Sequence, residues 1–387
     1  MNFDSISHNI WLRDHCRCPK CFHPITKQRM VDTFVIPSDI HPTKVESLPE
    51  GLEVTWPATP PHVSLYPWSW LRQNSYDPPL ASESSLTEHA NEKILWGSRI
   101  RESPPTVTYE EVMRDDMGVL RWLKKIDQFG FCFIEGIPPT PEDTEALCRR
   151  IAFIRETQYG GFWDFTADMK HGDTAYTNLA LKAHTDNTYF TDPSGLQLFH
   201  LLSHTEGKGG QTLLADGFYV ASILKELNPE AYDILTRVRV PAHAAGDNKW
   251  FYKPGPSSAG YPLLTLDPRT KELVQVRYNN DDRSVVNGLA GSQVEEWYEA
   301  LRAWNKCLTS HDSEYWVQLS PGTAVVVDNY RVLHGRSAFT GKRRMCGAYI
   351  GADEYRSRLR ILQELEHRST SGASEDAPVR DVWDPKL

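Results

Sequence analysis

The sequence predicts an α+β protein with a mainly antiparallel β core, preceded by a small, mostly β unit. Two observations carry this. Residues 1 to about 97 hold the short β-like runs VDTFVIP, GLEVTWP and HVSLYPW, separated by turn residues, with little helical periodicity before Trp70. From about residue 98 the pattern changes to amphipathic helices interspersed with apolar strands. We therefore expect a small domain over 1–97 and a large one over 98–368. The tail, 369–387, is rich in Ser, Asp and Pro and is expected to be disordered.

The elements follow in order. YEEVMRDDMGVLRWLKKIDQFG sets Leu120, Leu123 and Ile126 on one helical face and ends at Gly130, and the strand FCFIEG comes directly after. Thr140 before Pro141, Glu142 and Asp143 is an N-cap with proline at the first helical position, and Ala146, Leu147 and Ile154 should supply the buried stripe of that helix. Helices near 217–227 and 292–308 interrupt the strands GLQLFHLL, LVQVRYNN, TAVVVDN and MCGAYIG.

Composition narrows the partners. The 387 residues carry 42 basic and 51 acidic side chains, a net charge of −9, with no run of five or six like charges, which argues against nucleic acid or an anionic membrane surface. No apolar stretch approaches the roughly 18 residues of a membrane span. The opening MNFDSISHNI has no basic, apolar or Arg-rich amphipathic signal pattern. Of seven cysteines, Cys16, Cys18 and Cys21 cluster, while Cys132, Cys148, Cys307 and Cys346 stand alone. An odd count with one tight cluster fits a reduced compartment and a metal site better than a disulfide framework.

His184 and Asp186, in HTD, are metal-capable side chains at i and i+2, so an extended segment projects both to the same side. His334 follows the β-branched run of VVVDNYRVLHGR and falls at a strand end. Two histidines and one carboxylate form a facial triad that leaves positions on Fe(II) for a chelating co-substrate and dioxygen. In GKRRMCGAY, alternation puts Arg343, Met345, Gly347 and Tyr349 on one face, and an inward Arg343 needs an anion, which a guanidinium takes bidentately from a carboxylate.

Together with WLRDHCRCPKC and the stretch from RETQYGGFW to HTDNTYF, these residues make the chain resemble the carnitine-biosynthesis group of 2-oxoglutarate dioxygenases from about Trp11 to about Leu362. The trimethyllysine-acting branch is the nearer. The resemblance implies a double-stranded β-helix, or jelly roll, with iron on His184, Asp186 and His334 and the far carboxylate of 2-oxoglutarate on Arg343. It implies an aromatic cage for a trimethylammonium group at Tyr159, Trp163 and Tyr176, with Tyr349 a further member; such a group donates no hydrogen bond and is held by ring faces. Asp173 replaces an Asn usual in the butyrobetaine-acting branch, so it favours a substrate with an α-ammonium and repels a butyrobetaine carboxylate. Asn280, or its neighbour Asn279, is expected on the substrate carboxylate, with Arg283 a further candidate.

In the small domain the resemblance adds His62 to the three cysteines as a structural Cys3His zinc site, His23 being too close in the chain. Members usually carry more residues before the WLRDHC motif, so a strand of this domain is expected to be missing or replaced. The implied reaction is hydroxylation of free trimethyllysine at carbon 3, giving succinate and carbon dioxide. Fe(II), 2-oxoglutarate, dioxygen and ascorbate are the expected cofactors and co-substrates, a homodimer the expected assembly. The cytoplasm is the expected compartment and the mitochondrial matrix the alternative. The competing readings are the same chemistry on γ-butyrobetaine and a non-catalytic methyl-lysine reader, against which the triad and Arg343 argue.

Overall fold

The computed structural model describes residues 5–80, 92–166, 177–246, 248–253, 260–371 and 381–384. The chain divides into two compact units, Met1–Ala90 with His367–Leu387, and Asn91–Glu366. The boundary precedes the expected one because Ile94 and Trp96 already belong to the larger unit: the Ile94 amide donates to Gln128 O (2.8 Å) and Trp96 packs on Phe131. Among the described residues no helix is long and apolar enough to cross a membrane.

In the smaller unit an antiparallel sheet joins Lys44–Leu48, Gly51–Trp56 and His62–Pro67. Val54, Trp56, Tyr66 and Trp70 form its buried core. The expected strand VDTFVIP is instead a 3-10 turn at Thr33–Val35. There the Asp32 carboxylate accepts from Phe34 N (2.9 Å), a local bond that competes with any ladder. Of the tail expected to be disordered, 372–380 and 385–387 lie outside the described residues, and the rest is ordered. The last helix, Ala352–Ser371, passes 369, and Trp383 packs edge-on against Trp70 and Tyr66, because a large aromatic side chain gains from such contacts.

The larger unit is two antiparallel sheets facing one another, as in a jelly roll. The major sheet runs in the order Thr106–Thr108, Phe131–Glu135, Thr323–Asp328, Leu196–Thr205, Lys342–Ile350, Phe162–Thr166, with only its first pair parallel. The minor sheet runs Tyr315–Val317, Thr212–Asp216, Val332–Arg336, Leu181–His184. Strand alternation divides the core. Val325, Val327, Met345 and Tyr349 join Leu214 and Val332 between the sheets, while Ala324, Val326, Ala348 and Ile350 face outward onto helices. Gly347 lies opposite Trp163, and a Cβ there would fall 2.5 Å from the indole and 1.8 Å from Leu198 O, so only glycine admits the ring.

Helices cover both outer faces. Helix Asp116–Phe129 buries Leu120, Trp122, Leu123 and Ile126 completely, the aliphatic side chains worth about 1.5–3 kcal/mol each, and ends on Gly130 at φ +77°, where glycine carries no Cβ penalty. In Pro141–Ile151 the Thr140 cap accepts from Asp143 N (3.1 Å) as expected. The buried stripe there is Thr144, Leu147, Cys148 and Ile151; Ala146 is exposed and Ile154 lies beyond the helix. Thr144 is buried because its hydroxyl pairs with the His200 imidazole at 2.7 Å. Helices Gly217–Leu227, Pro229–Arg237 and Gly291–Leu308 back the minor sheet, the second of them not anticipated. Asp216 and Arg331, both buried, form a bidentate pair (3.0 and 2.7 Å) that anchors the first of these helices to the strand carrying His334.

Candidate active site

Register brings the two histidines together. His184 ends its strand directly opposite His334 on the neighbouring one, with ring centroids 4.6 Å apart. Asp186, two residues on, places Oδ1 3.2 Å from His184 Nε2 and 3.7 Å from His334 Nε2. Ligand atoms of all three lie within 4.8 Å of one another. His184 Nδ1 donates to Lys182 O (2.7 Å), which fixes the ring orientation and directs Nε2 at the shared centre. The Tyr349 hydroxyl donates to Asp186 Oδ2 (2.7 Å) and accepts from Gln197 Nε2 (3.2 Å), so the second carboxylate oxygen is occupied and Oδ1 remains for a cation.

Electrostatics fit that assignment. Burial acts to raise the Asp186 carboxyl, but His334, His184 and the Tyr349 hydrogen bond prevail and hold it well below the usual range. Burial acts to lower His184, and Asp186 outweighs it, raising the imidazole to about 9. His334, buried beside Phe199, is pushed down to about 3. Two histidines and a carboxylate with no fourth protein ligand among the described residues suit an octahedral Fe(II) with open positions.

The triad opens into a cavity with three kinds of wall. Arg336 and Arg343 line one side. Arg343 is 6% exposed, and its Nε has no hydrogen-bond partner among the described residues. Burial first, then Arg336, lowers its guanidinium to about 10. Arg336 spends Nη2 on the carbonyls of Thr177 (2.8 Å) and Leu179 (2.9 Å). An orphaned buried guanidinium beside the triad matches the distal carboxylate of a 2-oxo diacid, so the residues fit that co-substrate. Tyr159, Trp163, Phe165, Tyr189, Phe199 and Tyr349 form an aromatic wall, with the Tyr159 and Tyr189 hydroxyls 3.4 Å apart. Asn279, Asp281 and Asp282 complete the lining.

Of the expected site residues, the structure thus gathers His184, Asp186, His334, Arg343, Tyr159, Trp163 and Tyr349 in one cavity. Asp173 and Tyr176 lie outside the described residues. Asn280 lines a separate cavity with Arg277 and Arg283, whereas its alternative, Asn279, borders both that cavity and the site. Sequence reasoning missed Tyr189, Gln197 and the Asp281–Asp282 pair. The last two follow the Asn-Asn pair directly and were legible as acidic residues beside it.

In the smaller unit, Cys16, Cys18 and Cys21 place their sulfurs 3.4, 3.7 and 3.5 Å from His62 Nε2. A tetrahedral ion bonded to sulfur and nitrogen at ordinary zinc distances separates those atoms by about 3.5 Å, so the set fits zinc. The hydrogen bond from Cys16 is the main cause lowering Cys21 to about 5, with help from Arg13, while Cys16 is raised in return.

The family described as taurine catabolism dioxygenase TauD, TfdA matches residues 90–349, and a γ-butyrobetaine hydroxylase-like N-terminal family matches residues 3–72. A Neurospora crassa protein named trimethyllysine dioxygenase is 47% identical, over 91% of this chain and 79% of its own length. The human protein named "Trimethyllysine dioxygenase, mitochondrial" is 40% identical, over 91% and 82%. Human γ-butyrobetaine dioxygenase is 28% identical, over 93% and 92%.

Proposed function

We propose that this chain, which belongs to the TauD, TfdA dioxygenase family and within it groups with the trimethyllysine dioxygenases, hydroxylates free N6,N6,N6-trimethyllysine at carbon 3. The products are 3-hydroxytrimethyllysine, succinate and carbon dioxide, in the first step of carnitine biosynthesis. One observation carries the reading: a single cavity joins a two-histidine, one-carboxylate cluster to an orphaned guanidinium and a wall of aromatic rings.

Ferrous iron on His184 Nε2, Asp186 Oδ1 and His334 Nε2 would supply the dioxygen chemistry that couples decarboxylation of 2-oxoglutarate to oxygen insertion. The protein's own part is placement. Arg343 holds the far carboxylate of 2-oxoglutarate and so fixes its other end toward the triad. Tyr349 orients Asp186 and presents its ring to the cavity. Tyr159, Trp163, Tyr176 and Tyr349 cage the trimethylammonium; Asp173 takes the α-ammonium; Asn279, at the wall where Asn280 was expected, takes the substrate carboxylate. Unactivated C–H bonds differ little in reactivity, so the spacing between cage and amino-acid end selects the carbon.

The same reading gives Cys16, Cys18, Cys21 and His62 a structural zinc, makes ascorbate the accessory reductant and the assembly a homodimer. The mitochondrial label of the human relative supports the matrix over the cytoplasm. γ-Butyrobetaine fits less well, because it has no α-ammonium to offset the repulsion between its carboxylate and Asp281 and Asp282.

The test is mass spectrometry of purified protein with Fe(II), ascorbate, 2-oxoglutarate and either trimethyllysine or γ-butyrobetaine. A one-oxygen gain on trimethyllysine, matched by succinate, is expected. A gain on butyrobetaine alone would overturn the substrate assignment and keep the chemistry.

A further inference from the structure

We infer that Asn329 is a positioning residue that sets the iron-binding carboxylate and the substrate wall together. The inference rests on the iron reading of His184, Asp186 and His334. Asn329 occupies the short connection between strands Thr323–Asp328 and Val332–Arg336 and is 1% exposed. Its Oδ1 accepts from Asp186 N (2.7 Å), and its Nδ2 donates to Asp186 O (3.0 Å) and Ser194 O (3.0 Å). Its backbone N–H donates to Gly195 O (2.8 Å). One residue therefore holds both ends of the 186–195 segment.

What that segment carries gives the contacts their meaning. Asp186 begins it. Asn187 comes next at φ +57°, in the left-handed region that asparagine enters more readily than most residues, and its Oδ1 accepts from Ser194 Oγ (2.7 Å). Tyr189 follows, lining the cavity with its hydroxyl accepting from Gln158 Nε2 (2.9 Å). By bonding the N–H and the C=O of Asp186 at once, the Asn329 amide fixes the peptide planes on either side and so the direction in which the carboxylate leaves the chain. The Ser194 bond closes the same loop and sets where Tyr189 stands. Asn329 is also a few residues ahead of His334, so the strand bearing the last iron ligand and the loop bearing the carboxylate share one reference point.

Only a carboxamide of this length offers one acceptor and two donors to these three backbone groups. Aspartate keeps the acceptor and turns a carboxylate toward two carbonyls; alanine leaves all three without a partner.

The experiment measures Mn(II) affinity by electron paramagnetic resonance, and succinate formed per hydroxylated product at saturating metal, for wild type, Asn329→Asp and Asn329→Ala. Wild type that binds no Mn(II), or an Asp186→Ala control that keeps wild-type affinity, would defeat the iron reading and not this inference alone. With that reading intact, each folded variant is expected to lose about tenfold to a hundredfold in Mn(II) affinity and to release succinate in excess of product. A folded variant with wild-type affinity and wild-type coupling overturns the inference. If alanine does not fold, the near-isosteric aspartate variant decides; if neither folds, Asn329 is a folding residue and the inference is wrong.

Discussion

The cysteine cluster offers a cation four ligands, three of them within six residues of chain, while the triad offers three drawn from two strands and the turn after one of them. The first is soft, tetrahedral in spacing and complete; the second is hard, incomplete, and faces a cavity with an orphaned guanidinium. Ligand number and softness thus separate a cation that holds chain together from one that meets a substrate. The largest expected effects test this separation. Asp186→Ala should cost several kcal/mol of transition-state stabilisation, at least about 10³-fold in kcat/KM, with zinc content unchanged by elemental analysis. Cys21→Ser should release zinc and lower the melting temperature while Mn(II) binding at the triad persists. Loss of both metals in either variant would show that the sites are not independent.

How much of this was legible in the sequence follows from the same contrast. Cys16-x-Cys18 and His184-x-Asp186 are local, and alternation alone put Arg343 and Tyr349 on one face. His334 was reachable because a β-branched run announces its strand. The Tyr349 hydroxyl on Asp186, Gln197 behind it, and Asn329 under the backbone depend on register between strands far apart in the chain, for which one sequence holds no signal. In VDTFVIP the β-branched content suggests a strand, whereas Asp32 offers the backbone a nearer partner. The choice between Asn280 and Asn279 is not legible, because the segment has no alternating pattern from which to read a face.

A pH titration sharpens the comparison with a smaller effect. In the metal-free triad His184 titrates near 9, raised by Asp186 against the opposing effect of burial. A metal must displace that proton, so below pH 9 affinity should rise about tenfold per pH unit and level off above it. In the cysteine cluster Cys21 is lowered to about 5 chiefly by the hydrogen bond from Cys16, whose own thiol is raised in return, so a metal there must also displace a proton. Between pH 6 and 8, Mn(II) affinity should therefore climb by about a hundredfold. An Mn(II) affinity flat over that range would remove the His184–Asp186 ion pair from the account.

The smallest expected effect lies at the amino-acid end of the cavity. Burial raises Tyr189, Asp186 raises His184 against burial, and the charge of the partly buried Asp282 adds a smaller raising effect to each. Trimethyllysine brings an α-ammonium to this region and γ-butyrobetaine does not. Removing one carboxylate charge with Asp282→Asn should weaken an ammonium by about 1 kcal/mol, the scale of a partly solvated ion pair, so kcat/KM on trimethyllysine should fall about fivefold. Turnover of butyrobetaine, whose carboxylate the same charge repels, should stay level or rise. If the ratio of kcat/KM for the two substrates is unchanged in the variant, Asp282 takes no part in choosing between them, and the discrimination must come from elsewhere in the site.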